Sequence, residues 1–512
     1  YLLESIDKAL QLTANTDFLD KFIVDKFHLM SDYDATRVLH HPKNDFEIRD
    51  GQRRKVFNDL FKFNFILKSK NNDKTQSQFV MKKREKWDEL KSILPYKLTG
   101  DQNKCLEELY QYMSSGKVLN ALVQGDVGSG KTMIGLFSML LAANNGYQSC
   151  IIAPTEVLAK QHYEEISNYM DKLGYKVGYL VGGLKTRERK AVLAGLKDGT
   201  INMVVGTHAI IQDSVEFNNL SLVVIDEQHR FGVSQREKLS NMLGPHMISM
   251  SATPIPRTLS MALYGDNIQV YSIKEKPAGR KDIITKQMEN DDEINMFMLE
   301  QIRQGRQCYV VCPLIEDSES EAMSDVRSVK QEVDSLFNFF KNYPEIKISN
   351  TTGKMKKELI EEEIQKFVNN ETNILVSTTI IEVGVNVPNS TVMVLKSSER
   401  FGLAQSHQLR GRVGRGNYQS YCILQTTKDD PKAEILCNTN DGFEIAKQDL
   451  LLRGAGDYIG TQQTGNNKNV LLMMSEPELY KKISSLNDEI FNDNKLFSKY
   501  KYILEENEQK EE

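Results

Sequence analysis

The feature that most constrains this chain is a strand that runs into a glycine-rich turn. Residues 118–132 read VLNALVQGDVGSGKT: an apolar run, then G-x-x-x-x-G-K-T. Gly125, Gly128, Ser129 and Gly130 allow backbone N–H groups to wrap an anion, and a following helix would aim its positive end at the same point. Lys131 supplies a point charge for β- and γ-phosphates, and the Thr132 hydroxyl a ligand for Mg²⁺. Such a turn needs a buried strand before it and a helix after it. The surrounding chain is therefore expected to be α/β with a mostly parallel sheet.

The apolar runs agree with that frame. VLNALVQG (118–125), QSCIIAPT (148–155), INMVVGTH (201–208), SLVVIDEQ (221–228) and MISMSATP (247–254) are near-continuous, as strands buried on both faces require. A second series follows: RQCYVVCPL, ISNTTGKM, TNILVSTT, STVMVLKS and SYCILQTT. Two α/β domains in tandem are expected, joined near KEKPAGRKD (274–282), with a mobile acidic loop at EDSESEAMSD (316–325). The first ninety residues are polar and helical in rhythm. TDFLDKFIVDKFHLM places Phe18, Phe22, Ile23 and Phe27 at helix spacing, HHPKN breaks the pattern, and a second helix is expected over 53–70. KKREKWDELK (82–91) reads as a solvated helix face.

Composition sets outer bounds. At 512 residues, 26% charged and 40% hydrophobic, the chain has room for roughly three domains and is neither disordered nor fibrous. No apolar run approaches the ~18–20 residues of a membrane span. The net charge of −5 argues against coating nucleic acid by bulk charge. Cys105, Cys150, Cys308, Cys312, Cys422 and Cys437 form no CxxC pair and have no histidine cluster, which points to buried thiols in a reducing compartment rather than zinc. The opening YLLESIDKAL lacks a signal peptide's basic region and an initiator Met, so the chain reads as a fragment or a processed form.

Two further groups carry chemistry. VVIDEQH (223–229) ends a strand in two carboxylates: Asp226 is placed to hold Mg²⁺ and Glu227 to polarise the attacking water. HQLRGRVGRG (407–416) holds three arginines and three glycines, a composition that fits a packed core poorly. Arginine presents a rigid donor fork suited to a γ-phosphate, so Arg412 and Arg415 are expected to reach ATP across an interdomain cleft, with Gln408 as an added contact. Nucleotide would then close the cleft and hydrolysis release it.

These motifs together resemble the superfamily-two helicases and, within them, the RecG family of bacterial branched-DNA translocases. LPYKLTGDQ (94–102) resembles the motif whose glutamine reads adenine, here Gln102. APTEVLAKQH and GTHA resemble motifs that touch the DNA backbone, which implicates Thr155, Thr207 and His208. DEQHRFGVSQR and SATPIPRTL resemble the hydrolysis and coupling motifs, STTIIEVGVNVPN and ERFGLAQSHQLRGRVGRG resemble the last two helicase motifs, and DGFEIAKQDLLLRGAGDYIGTQQTG (441–465) resembles the family's translocation motif, with Arg453 and Gln463 at matching positions. Lys354, Lys356 and Lys357 in TTGKMKKE are suited to phosphate contact.

The resemblance, over roughly 90–470, implies two tandem RecA-like parallel-sheet domains at 91–272 and 283–430, a helical segment at 1–90, and a helical-hairpin extension at 431–512. It further implies ATP and Mg²⁺ as cofactors and branched double-stranded DNA as partner, with no membrane. A single-stranded-DNA-binding protein as a second partner, a monomer and a bacterial cytoplasm are also implied. Three departures stand out. Asn386 replaces a family aspartate, Gln462 stands where the family has an arginine, and the N-terminal wedge domain has no counterpart in residues 1–90. Two other readings compete: an ATP-gated factor that remodels a protein partner, and a translocase like the transcription-repair coupling factor. An RNA helicase is disfavoured by the translocation motif.

Overall fold

The computed structural model describes residues 17–69, 76–227, 244–254, 260, 268–275, 281–313, 329–352, 355–378, 387–426, 429–453, 469, 472–473 and 475–511. The chain forms two compact units. One is discontinuous and gathers the N-terminal helices with those after residue 453; the other holds the two sheets.

In chain order the first unit opens with helices α1 (Lys21–Lys26), α2 (Asp32–His40) and α3 (Asp45–Ser69). Helix α1 is shorter than the spacing of its aromatics predicts. His28 takes a left-handed φ of 49°, the helix stops at Lys26, and Phe22 is left 43% exposed. Helix α3 starts earlier than expected because Asn44, the last residue of HHPKN, caps it: its Oδ1 accepts from Glu47 N at 2.9 Å.

The second unit begins with α4 (Lys86–Ile93) and α5 (Gly100–Ser114). Strands β1 (Asn120–Gly125), β2 (Gln148–Ile152), β3 (Val177–Leu180), β4 (Met203–Gly206), β5 (Leu220–Asp226), β6 (His246–Ser251) and β7 (Gln269–Ile273) follow, with α6 (Lys131–Asn144), α7 (Glu156–Met170) and α8 (Thr186–Asp198) between them. Every pairing is parallel, in the order β3-β4-β2-β5-β6-β1-β7. The phosphate-loop strand β1 therefore lies inside the sheet, with its carboxyl end among those of its neighbours, where open α/β sheets hold ligands.

The core of this lobe begins at Met81, ahead of the boundary expected at 91. Trp87 is the reason. Its ring stands edge-on to Phe137 at 5.7 Å, and its indole N–H donates to Phe137 O at 3.1 Å. KKREKWDELK is thus a solvated face only in part: Lys82, Lys83 and Arg84 are exposed, while Trp87 and Leu90 are buried.

The second lobe comprises β8 (Ile284–Met288), α9 (Asp291–Arg303), β9 (Gln307–Val311), α10 (Val329–Phe339), β10 (Ile348–Thr351), α11 (Lys357–Val368), β11 (Ile374–Ser377), β12 (Ser390–Leu395), α12 (Leu403–Arg410) and β13 (Tyr421–Gln425). Its sheet is also fully parallel, in the order β10-β11-β9-β12-β13-β8. Helix α13 (Pro431–Asn438) and the start of α14 (Gly442–Arg453) belong to this lobe as well, since Ala433, Leu436 and Ile445 join its core.

The chain then returns to the first unit with α15 (Pro477–Asn492), α16 (Asn494–Tyr500) and α17 (Tyr502–Glu511). Phe57, Phe61 and Phe65 repeat every four residues along α3 and form one buried stripe. Tyr500 packs edge-on to Phe61 at 5.3 Å, and Phe491 lies 4.8 Å from Phe65. Inside this aromatic core, polar side chains bond to one another: Asn64 donates to the Tyr480 hydroxyl at 2.9 Å, and Asn487 donates to Asn64 Oδ1 at 2.9 Å. Buried Arg54 pairs with Asp17 and donates to Met30 O.

All six cysteines are free thiols, five of them buried. No helix among the described residues is long and apolar enough to cross a membrane. The acidic loop expected at 316–325, and most of the linker expected at 274–282, lie outside the described residues.

Candidate active site

Strand β1 delivers the chain to residues 126–130, which turn directly into α6. Gly128 and Gly130 have φ of 75° and 80°, conformations that any Cβ would strain, so the turn depends on glycine. Lys131 is buried at the first position of α6, and its ammonium donates to Gly125 O at 2.7 Å and to Asp126 O at 2.9 Å. Burial lowers its pKa, while the carboxylates of Glu227, Asp226 and Asp126 oppose that and Arg415 adds to it. Ser129 Oγ is buried with no hydrogen-bond partner among the described residues, and Thr132 is half-buried on the first turn. The cradle of amides, the buried cation and the unused hydroxyl fit a polyphosphate.

Gln102 lies beside this turn and is held from two sides. It closes a capping box with Thr99 at the start of α5, and its Nε2 donates to Ser129 O at 2.8 Å. In this state its amide serves the loop itself.

Asp226 is the last residue of β5. Its Oδ2 lies 2.8 Å from Nε2 of His162, a buried histidine on α7. Burial pushes the Asp226 carboxyl up, but the His162 hydrogen bond and the charge of Lys131 outweigh it, and the group is held below the usual carboxylate range. The next residue, Glu227, takes a φ of 52°, a strained left-handed conformation of the kind that gathers at functional sites. Among the described residues no group of three or more His, Cys, Asp and Glu side chains is arranged to hold a metal. A magnesium ion here would rely on Thr132, Asp226 and phosphate oxygens together, which is how this hard cation is usually bound.

The second lobe meets the loop directly. A Cβ on Gly411 would stand 2.6 Å from Cβ of Val127, so the turn after α12 is pressed onto the phosphate loop. Gln408 and Arg412 are buried there, and Arg415, half-buried, is close enough for its charge to act on Lys131. The third arginine behaves differently. Arg410 is 2% exposed and donates to Leu436 O, Thr439 O and His407 Nδ1, so this arginine is spent on holding a packed interior together. His407, His162 and Asp126 carried no sequence signal beyond being polar residues inside otherwise buried runs.

The other expected positions lie on different loops. Thr155 caps α7, its hydroxyl accepting from Leu158 N. Thr207 is buried, with Oγ1 lacking a hydrogen-bond partner among the described residues, and His208 is exposed. Thr155 follows β2, and Thr207 and His208 follow β4, at the carboxyl edge of the first sheet. Lys356 is exposed, and Arg453 is the last residue of α14. The side chains of Lys357 and Arg453, and the whole of Lys354, Gln463, Asn386 and Gln462, lie outside the described residues.

Three family models match the chain: DEAD/DEAH box helicase over residues 99–262, helicase conserved C-terminal domain over 291–417, and ATP-dependent DNA helicase RecG, domain 3, C-terminal, over 439–494. Among curated proteins, the ATP-dependent DNA helicase RecG of Synechocystis sp. is 42% identical over 460 residues, 88% of this chain and 55% of that protein. The proteins of that name from Streptococcus pneumoniae and Bacillus subtilis are each 40% identical, over 90% of this chain and 69% and 68% of theirs. The chain thus spans about half the length of the first relative and about two thirds of the others. Among solved structures, RecG bound to a three-way DNA junction matches with a TM-score of 0.72 at 34% identity, covering 91% of this chain and 62% of that one. The helicase MrfA bound to DNA and AMPPNP has a TM-score of 0.53 at 18% identity, over 74% of this chain and 57% of that one, a likeness of fold.

Proposed function

Because the chain belongs to the RecG family of ATP-dependent DNA helicases, we propose that it hydrolyses ATP between its two lobes and uses the cycle to move along duplex DNA at branched junctions. The observation that carries this reading is the packing of Gly411 on Val127, which sets the arginine-bearing turn of one lobe on the phosphate loop of the other. Phosphoryl transfer asks mainly for positioning and charge neutralisation, and both are supplied here. Lys131 is assigned to the β- and γ-phosphates, with Gly125, Gly128, Ser129 and Gly130 wrapping them by their amides. Thr132 and Asp226 would hold Mg²⁺, which would supply charge neutralisation to the phosphates. Glu227 orients and polarises the attacking water. Arg412 and Arg415 stabilise the charge on the transferred group, with Gln408 beside them, and Gln102 contacts the base.

DNA is assigned to Thr155, Thr207 and His208 on the first lobe, Lys354 on the second, Arg453 at the end of α14 and Gln463 beyond it. Its recognition would be by shape and backbone, since the acidic body leaves only local basic tracks. The reading extends to a monomer in the bacterial cytoplasm, with a single-stranded-DNA-binding protein as a further partner. Lys131→Ala is expected to lower junction-stimulated ATP turnover by about 100-fold or more. Retention of most turnover, or a wild-type ATPase indifferent to DNA, would sink the assignment.

A further inference from the structure

Asp126 is the second residue of the phosphate loop, and phosphate binding asks for no carboxylate there. Its side chain nevertheless has two defined neighbours. Oδ1 accepts from Val127 N at 2.7 Å and lies 2.9 Å from Nε2 of His407, on the second lobe. The Nδ1 of that ring accepts from Arg410 at 2.9 Å. Arginine only donates, so this contact assigns the ring proton to Nε2, the atom that faces Asp126. Arg410 also holds the carbonyls of Leu436 and Thr439, on the segment that leads into α14. A third element closes on the pair. A Cβ on Gly442, the first residue of α14, would stand 2.7 Å from His407 Nε2 and 3.3 Å from Asp126 Cγ. The helix therefore starts on the pair itself, and only glycine permits that approach.

We propose that Asp126 and His407 are positioning residues that pass the state of the phosphate loop to helix α14. The inference rests on the ATP-driven reading above. In this structure the Asp126 carbonyl accepts from Lys131. Phosphate oxygens compete for that ammonium, so occupancy of the site frees the carbonyl and lets residue 126 shift. Its carboxylate lies at ion-pair distance from His407, and the His407 ring abuts Gly442, so a shift of the loop is delivered to the first turn of α14. Arg410 fixes the far side of the ring, so that the ring tilts as a unit instead of sliding.

The test uses two conservative variants with opposite losses. His407→Gln keeps an N–H toward Asp126, whereas His407→Asn keeps an acceptor toward Arg410 and loses Asp126. Gly442→Ala is the third, pushing on the pair from the helix. Amide exchange over 442–452 is read with and without AMPPNP, beside ATPase with and without a model fork and fork remodelling. In the wild type and His407→Gln, the analogue should change exchange in the first turn by about fivefold or more. In His407→Asn and Gly442→Ala the change should fall below about twofold. Remodelling should drop about tenfold there, with DNA-free ATPase within about threefold of wild type. A His407→Asn protein that responds like wild type overturns the proposal. So does equal loss in His407→Gln and His407→Asn, which would mark the histidine as structural. A wild-type ATPase indifferent to DNA, with the exchange response intact, would instead overturn the reading of function and leave the relay standing.

Discussion

The residue that best shows how this site is held is His162. It touches no expected substrate atom, yet its Nε2 is bound to the carboxylate assigned to magnesium. Partners of this kind fix a ligand's orientation and are worth about 10–100-fold in affinity or activity. His162→Ala is expected to lower kcat for ATP within that range, with KM for ATP little changed. Turnover within about twofold of wild type would mean that the ring only fills space. The candidate residues named from the motifs were legible because each motif is local: a lysine follows its glycines, a carboxylate pair ends its strand. His162, Asp126 and His407 were not legible. Their meaning lies in partners far along the chain, 64 residues away for the His162–Asp226 bond, and spacing within a motif does not encode that.

At the scale of elements, the central strands were legible and most edge strands were not. A strand between two neighbours is buried on both faces and reads as an unbroken apolar run, as β5 does with Leu222, Val223, Val224 and Ile225. Strands β3, β7 and β8 lie at sheet edges, and β8 shows mostly exposed or half-exposed positions, so ITKQM carries no strand signature. The same reasoning explains α4. A charged run hid two core residues because a helix needs only one buried stripe. Trp87→Ala should cost about 3–5 kcal/mol, since it opens a void beside Phe137 and leaves that carbonyl without its indole donor. Urea unfolding followed through the first lobe would check this, and a loss below about 1 kcal/mol would show the N-terminal segment to be an appendage.

At the scale of the molecule, the chain divides into a unit that holds two parallel sheets and a helical unit that the chain leaves and re-enters. The tandem α/β order was readable from the two series of apolar runs. The discontinuous unit was not, because nothing in residues 17–69 announces that its cover lies beyond residue 470. The bond from Asp20 N to the Tyr500 hydroxyl spans 480 residues. During synthesis at ~5–20 residues per second, that separation is on the order of half a minute to a minute and a half. Through that interval the ribosome has released Phe57, Phe61 and Phe65 without Phe491 and Tyr500 to cover them, while both sheets have had time to fold. A nascent chain is therefore expected to need a holding chaperone at helix α3 rather than at either sheet. Polypeptides halted after residue 476 should sediment or co-purify with such a chaperone, and replacing Phe61 by serine should relieve it. A soluble, unaccompanied 1–476 chain would show that α3 finds another cover, and that delay in translation costs this protein nothing.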